Sequence, residues 1–433
     1  MPSRDNVHVL VARYLRDNGY KNTLEAFKEE LGLEDDMIPS DHSITLESII
    51  EQKRLFDLSR EFEAVTVADN EDKWHVPYPD CKIILPKQSP ESNILFVSVA
   101  NLSIPPSADD QSSIYPARPC IIATSADRSL RIFDFNTFEL LRVHTHLHSS
   151  PILSLVALNE SVLLTGGMDG RLVVSNPATG DIIAQHKDHQ KYLVRIACSE
   201  DMRYLATAGY DKKVNAYSIE NLGPDDSTFT FTKLGTISFP TNPEAILFAT
   251  PEDEKSSETT TPRLIVSRRD STFLYYYKLF PVLSEAARHN LNPDGNSWVS
   301  FCAMDMVLDP VESKFLVVAT STLPEMRFMM LQPGSDKILQ NASTKAPQDA
   351  YSSARIFWRP NGSGFWCNGD DGIIRGIELS TGSVVAQLKH HDGKVKAMFA
   401  GIVEGREVLV TAFQLTYQGG FDKSIAVWEL GKR

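Results

Sequence analysis

KDHQKYLVRIACSEDMRYLATAGYDKKVNAYSI, residues 187–219, carries a phrase that decides the architecture: an apolar run, small residues, a turn Asp at Asp211, then alternating apolar residues. The phrase recurs as IIATSADRSLRIFDF around Asp127, LLTGGMDGRLVVSNP around Asp169, LIVSRRDSTFLYYYK around Asp270, FWCNGDDGIIRGIEL around Asp371 and QGGFDKSIAVWEL around Asp422. Successive Asp positions differ by 42, 42, 59, 101 and 51 residues, so the long interval should hold one more copy. LVVATSTLPEMRFMML fits there, with Leu323 where the Asp would sit. Seven units result, and a period of this size signals a propeller or a solenoid.

Strand periodicity favours the propeller. After each turn the apolar side chains alternate, as at Leu130 and Ile132 or Val214 and Ala216, where a helix would space them i, i+3, i+4. The Asp and its Gly, Lys, Arg or Ser neighbours then make tight connections between strands, because Asp tolerates turn geometry and bonds nearby backbone. These residues resemble the WD-repeat family, whose repeat forms one four-stranded blade. His189, Asp211 and Tyr217 match that family's structural His, turn Asp and terminal aromatic, and the last unit offers His391, Thr411, Asp422 and Trp428. Phe133 and Ser175 replace Trp elsewhere, and the fourth and fifth units lack a clear His. The resemblance spans residues 75–433 and implies a mainly β, seven-bladed propeller.

The last unit reaches only its third strand at Trp428, Glu429 and Leu430. CKIILPK, residues 81–87, is expected to supply the missing outer strand and remove an exposed sheet edge, with ILFVSVAN following as the inner strand of the first blade.

Residues 6–33 read NVHVLVARYLRDNGYKNTLEAFKEELGL: two short amphipathic helices meeting at Asn18-Gly19. Such a pair is too small to bury its apolar faces alone, which favours association with a second copy. YL, NGY and TLEAFKEE resemble the LisH motif, a homodimerisation element, and YLRDNGY resembles the head of the lissencephaly-type dynein regulators. Leu10, Tyr14, Leu15, Tyr20, Leu24 and Phe27 are the expected dimer contacts. The domain plan is a LisH head over 1–40, a helical extension over 41–66, a linker over 67–80 and the propeller over 81–433.

Five cysteines, odd in number and far apart, indicate neither a disulfide framework nor a zinc site, so a reducing, intracellular compartment, cytoplasm or nucleus, is expected. No apolar run is long enough to span a membrane, and the start MPSRDNVHVL does not read as a signal peptide. Of the net charge of −13, residues 1–80 carry −9, with 18 acidic against 9 basic side chains. A net acidic chain without Lys/Arg blocks is a poor binder of phosphate backbones, so no direct nucleic-acid contact is expected.

Local clusters that invite chemistry have plainer readings. His144, His146 and His148 alternate and would share a strand face, as metal ligands would, but His148 falls in the repeat's structural slot. His390 and His391 fall in the same slot of the last unit, and in GDDG, residues 369–372, Asp371 is the turn Asp. NGSG and GGF are turns without a phosphate-binding Lys. No GxSxG, HExxH or Cys/His nucleophile arrangement is present in a suitable context, so no catalytic, metal or cofactor residue is assigned and an enzyme is not expected.

A binding platform remains. The residue before each turn Asp should lie on one rim: Ala126, Met168, Tyr210, Arg269, Asp370 and Phe421. Met168, Tyr210, Arg269 and Phe421, joined by Tyr192, are large side chains of the kind that anchor interfaces. PEDEKSSETTTP (251–262) and SIPPSADDQSSIYPARP (103–119) read as surface insertions. The expected function is a dimeric, non-enzymatic scaffold that presents the propeller to proteins or peptides. Similar architectures serve as corepressor or chromatin-complex subunits, as microtubule or dynein regulators, and as ubiquitin-ligase substrate adaptors. The adaptor signature requires Trp-Asp-x-Arg after the turn, where this chain has Phe133, Asp134, Phe135 and Asn136.

Overall fold

The computed structural model describes residues 4–34, 38, 45–47, 50, 73–85, 92–105, 115–221, 229–250, 261–292, 299–389, 394–413 and 424–431, in two compact units, Met1–Ala64 and Val65–Arg433. No helix among them is long and apolar enough to cross a membrane.

In the first unit, helix α1 (Arg4–Asp17) is followed by helix α2 (Lys21–Leu31). Gly19 turns between them at φ 74°, a left-handed conformation that glycine adopts without a Cβ penalty. The Asn18 side chain donates to the Tyr14 carbonyl at 3.0 Å, satisfying one of the acceptors that a helix end leaves open. Ala12, Leu24 and Ile38 are buried together, with Leu15, Phe27 and Leu33 packed against them. Tyr20 remains 51% exposed, its ring 6.3 Å from that of Tyr14. The helical extension expected over 41–66 lies largely outside the described residues.

The second unit is seven four-stranded antiparallel sheets. Blades 1 to 6 cover residues 94–144, 152–186, 193–238, 243–290, 303–347 and 356–389 in chain order. Blade 7 takes three strands from residues 395–429 and its fourth from Cys81–Ile84. The first strand of each blade touches the first strands of both neighbours, and blade 7 touches blade 1, so these strands form a closed inner ring. Closure is made by antiparallel pairing of Cys81 with Glu429 through Ile84 with Ala426. The pairing covers the outer edge of the last strand, which would otherwise be open.

The turn Asp residues work as their chemistry suggests. The residue after Asp127, Asp169, Asp211 and Asp371 has positive φ: Arg128 at 70°, Gly170 at 72°, Lys212 at 67° and Gly372 at 73°. Each Asp also accepts a backbone N–H two residues on. Blade 4 differs, because Asp270 itself takes the left-handed position at φ 57°.

Residues 73–80, within the stretch read from sequence as a linker, are packed onto blades 6 and 7. The Trp74 indole stands edge-on to Trp366 at 5.0 Å and lies 4.2 Å from the Arg359 guanidinium carbon. Its seat exists because Gly376 has no side chain: a Cβ there would lie 2.4 Å from the indole. The Trp74 backbone N–H donates to Glu378 at 3.0 Å.

Candidate interaction face

One end of the ring is assembled by a repeated backbone contact. Ala126, Met168, Tyr210 and Arg269 donate their N–H groups to Asn93, Pro151, Tyr192 and Asn242, each of which lies immediately before an inner strand, at 2.8 to 2.9 Å. The residue before the turn Asp is thereby fixed beside the entrance to its own inner strand. Asp370 departs from this, donating to Pro347 at 3.1 Å. Phe421, with His391 and Asp422, lies outside the described residues.

Beneath this rim, the histidines of blades 2 and 3 are fully engaged. His148 bonds Asp169 through Nδ1 at 3.0 Å and Thr165 through Nε2 at 2.9 Å. His189 repeats the arrangement with Asp211 and Thr207, both at 2.9 Å. The imidazoles lie so close to the backbone that a Cβ on Gly167 or Gly209 would reach the Nδ1 atoms at 2.6 and 2.3 Å, which explains the small residues ahead of the turn. Burial alone would push the Asp169 carboxyl up, but the His148 bond and the backbone donors Arg171 and Ser149 outweigh it and hold the group at about 2.

Other blades reach the same end by other means. Asp127 is satisfied locally by Ser125, Ser129 and Arg131. In blade 6, Arg375 takes the role of the missing histidine, with two bonds to Asp371 at 3.0 and 2.5 Å. In blade 5, Ser321 makes the rim contact, donating to Cys302 at 3.0 Å, so Thr322 and not Leu323 stands in the Asp slot; Thr320 bonds Thr322 at 2.9 Å and Gln348 donates to the Thr320 carbonyl at 2.9 Å. Trp428 donates its indole N–H to Thr411 at 3.1 Å. Tyr217 bonds Asp188 at 2.9 Å.

The alternating histidines are dispersed rather than convergent. The His144 ring contacts the Pro177 carbonyl at 2.8 Å and His146 the Gly180 carbonyl at 2.9 Å, while His148 is spent on Asp169. Among the described residues no group of three His, Cys, Asp or Glu side chains could hold a metal ion.

Chemical character concentrates on blades 3 to 7. The rings of Tyr192 and Tyr210 lie 6.3 Å apart, with Tyr192 46% exposed. Arg269 grips Glu244 through Nε at 2.7 Å and Nη2 at 2.6 Å. Burial pushes the Glu244 carboxyl above its ordinary value, with Arg269 pulling the other way. Met168 is half-buried. The structure adds residues that the motif search passed over. Arg195 donates to the Glu244 carbonyl at 3.0 Å, Arg355 stands 3.7 Å from Asp305, and Lys394 bridges Asp370 at 2.6 Å and Asp349 at 2.8 Å. Their common signal was a charged residue at the mouth of an otherwise apolar inner strand, a position that the turn Asp does not mark.

Comparison with known proteins follows this geometry. The UCP007778 β-propeller domain matches residues 111–429, and the UCP007778 LisH domain matches residues 5–33. The chain belongs to the UCP007778 family. Its two domains coincide with the helical pair and the blades described above, so this is a LisH-containing WD-repeat propeller. The UCP007778 chain is also similar to the WD repeat-containing protein 55 homolog of Dictyostelium discoideum, 28% identical over 106 residues, 24% of this chain and 26% of that protein. WD repeat-containing protein 55 of Rattus norvegicus is 25% identical over 100 residues, 23% of this chain and 26% of that protein. The chain thus spans about a quarter of the length of the curated relatives it matches.

Proposed function

We propose that this protein is a dimeric, non-catalytic scaffold whose LisH head pairs two copies and whose rim on blades 3 to 6 docks a protein partner. The observation that carries the reading is the Tyr192–Tyr210 pair, with Tyr192 exposed and Tyr210 half-buried beside it, on a rim whose backbone is pinned from below. Aromatic side chains on rigid loops supply contact area at small entropic cost, the usual composition of an interface hot spot. The histidines beneath have both ring nitrogens committed to Asp and Thr, which suits them to hold the rim and leaves neither one free to move a proton. Two propellers on one head would engage a paired target with raised avidity.

Affinity purification of the full chain beside Tyr192→Ala with Tyr210→Ala tests the rim. Loss of the co-purifying partner at unchanged thermal stability supports it, and retention of every partner sinks it. Sedimentation of the full chain and of Tyr14→Ala with Tyr20→Ala tests the head. A dimer weakened by the pair is expected, and a monomeric full chain overturns the pairing.

A further inference from the structure

We propose that the channel mouth beside this rim binds a carboxylate side chain of the partner peptide through Arg195, Arg355 and Lys396. The inference rests on the rim reading above and adds the chemistry of the ligand.

The three cations come from the inner strands of blades 3 and 7 and from the residue immediately before the inner strand of blade 6. They are far apart in sequence, and each stands at the rim-side start of an inner strand of the closed ring, where Arg195 reaches blade 4 at the Glu244 carbonyl and Arg355 reaches blade 5 at Asp305. Their charges act on one another. Burial, reinforced by Arg195 and opposed by Asp305 and Glu244, pulls Arg355 down to about 10, and burial with Lys394 lowers Lys396, where Asp370 and Asp349 oppose and Arg355 adds to the fall.

Counter-charge is unevenly shared. Glu244 is taken by Arg269 in a close ion pair, and Asp349 and Asp370 are taken by Lys394. Asp305 stands at a loose 3.7 Å from Arg355 and also accepts the Ile356 N–H at 3.2 Å. Arg195 bonds only a backbone carbonyl through Nε, and neither it nor Lys396 has a carboxylate within ion-pair distance among the described residues. Half-buried cations without a counter-ion have lost part of their hydration and gained no partner, so an incoming anion relieves a cost already present in the free protein.

A carboxylate meets these donors in charge-assisted hydrogen bonds, and Arg presents a planar fork that matches it. The flanking surface suits a peptide carrier. Tyr192 and Tyr210 lie on the blade 3 side, and on the blade 6 side Tyr351 is 87% exposed next to Asp349, whose carboxylate accepts the Tyr351 N–H at 2.8 Å. An acidic residue seated in the channel, with apolar neighbours lying on these rings, is the occupant that both the charge and the rings accommodate.

The test is selection of a random 12-residue peptide library on the purified full chain, followed by fluorescence anisotropy on the selected peptides. Four proteins are compared: the unchanged chain, Arg195→Gln, Lys396→Gln and Arg203→Gln. Arg203 lies in the turn between the first two strands of blade 3, at the far end from the rim, and serves as the charge control. The expected result is a shared Glu or Asp position, affinity about tenfold or more weaker with Arg195→Gln or Lys396→Gln, and no change with Arg203→Gln. Replacing the shared acid by Gln in the peptide should reproduce the loss.

Peptides without an acidic position that are nevertheless lost with Tyr210→Ala leave the rim standing and overturn this inference. Equal weakening by Arg203→Gln shows bulk electrostatics and also overturns it. Preference for phosphoserine with rejection of Glu overturns the carboxylate assignment. Peptides insensitive to both sets of variants, or failure to enrich any peptide, count against this site and the rim together.

Discussion

The Arg359 guanidinium holds the Glu407 carboxylate through two bonds, Nε to Oε1 at 2.8 Å and Nη2 to Oε2 at 2.6 Å, with the arginine fully buried. The same guanidinium donates to the carbonyls of His75 at 2.8 Å and Pro77 at 3.4 Å, so one side chain joins blade 6, blade 7 and the segment that precedes the closing strand. Removing one member of a buried pair strands the other charge. Arg359→Met should therefore cost about 3–5 kcal/mol, read from the urea midpoint at constant slope. Arg359→Met with Glu407→Met should cost less than the sum of the two single changes.

Trp74 tests whether residues 73–80 belong to the propeller. Gly376→Val places side-chain atoms where the indole lies, so the ring must leave its seat. The expected outcome is red-shifted tryptophan fluorescence and new proteolytic cleavage within 73–80. Trp74→Ala should destabilise the propeller by about 2–3 kcal/mol, somewhat less than loss of a fully buried tryptophan.

Acid should loosen blade 2 through Asp169. Its folded value of about 2 lies below the ordinary carboxylate value, so the unfolded chain takes up the proton at higher pH than the folded chain does. The stabilisation is fully present above about pH 4 and is lost as pH falls from there toward 2. Asp169→Asn should lower stability at pH 7 and flatten the fall between about pH 4 and pH 2, measured by urea unfolding at stepped pH.

Arg269 and Glu244 respond asymmetrically. Burial raises the Glu244 carboxyl despite its arginine, which means that its charge is tolerated rather than favoured. Arg269→Ala should therefore destabilise the propeller by about 2 kcal/mol or more, whereas Glu244→Gln should cost less, because Arg269 is half exposed and can rehydrate. Thermal melting of both variants decides this. It also makes Tyr192 and Tyr210 cleaner probes of partner binding than Arg269.

The blades were legible because the turn Asp and the alternating apolar residues are local signals, fixed by backbone conformation within a few residues. His189 and Asp211 could be paired in the same way, since the repeat that separates them is short. Blade 6 shows where the motif itself falls short: Arg375, four residues after Asp371, replaces a histidine that the motif expects, and Arg131 stands at the same spacing from Asp127 in blade 1.

By itself the sequence determined the seven-unit β architecture and the two-helix head, because strand period, turn chemistry and helical spacing are properties of neighbouring residues. Only the tertiary structure decided that Trp74 seats between Gly376 and Arg359, that Arg359 takes Glu407, and that Arg195, Arg355 and Lys396 stand at the same end of one closed ring of inner strands. The physical reason is that burial and charge act through space. Residues separated by most of the chain become neighbours only when Cys81–Ile84 pairs with the last strand and the ring is closed.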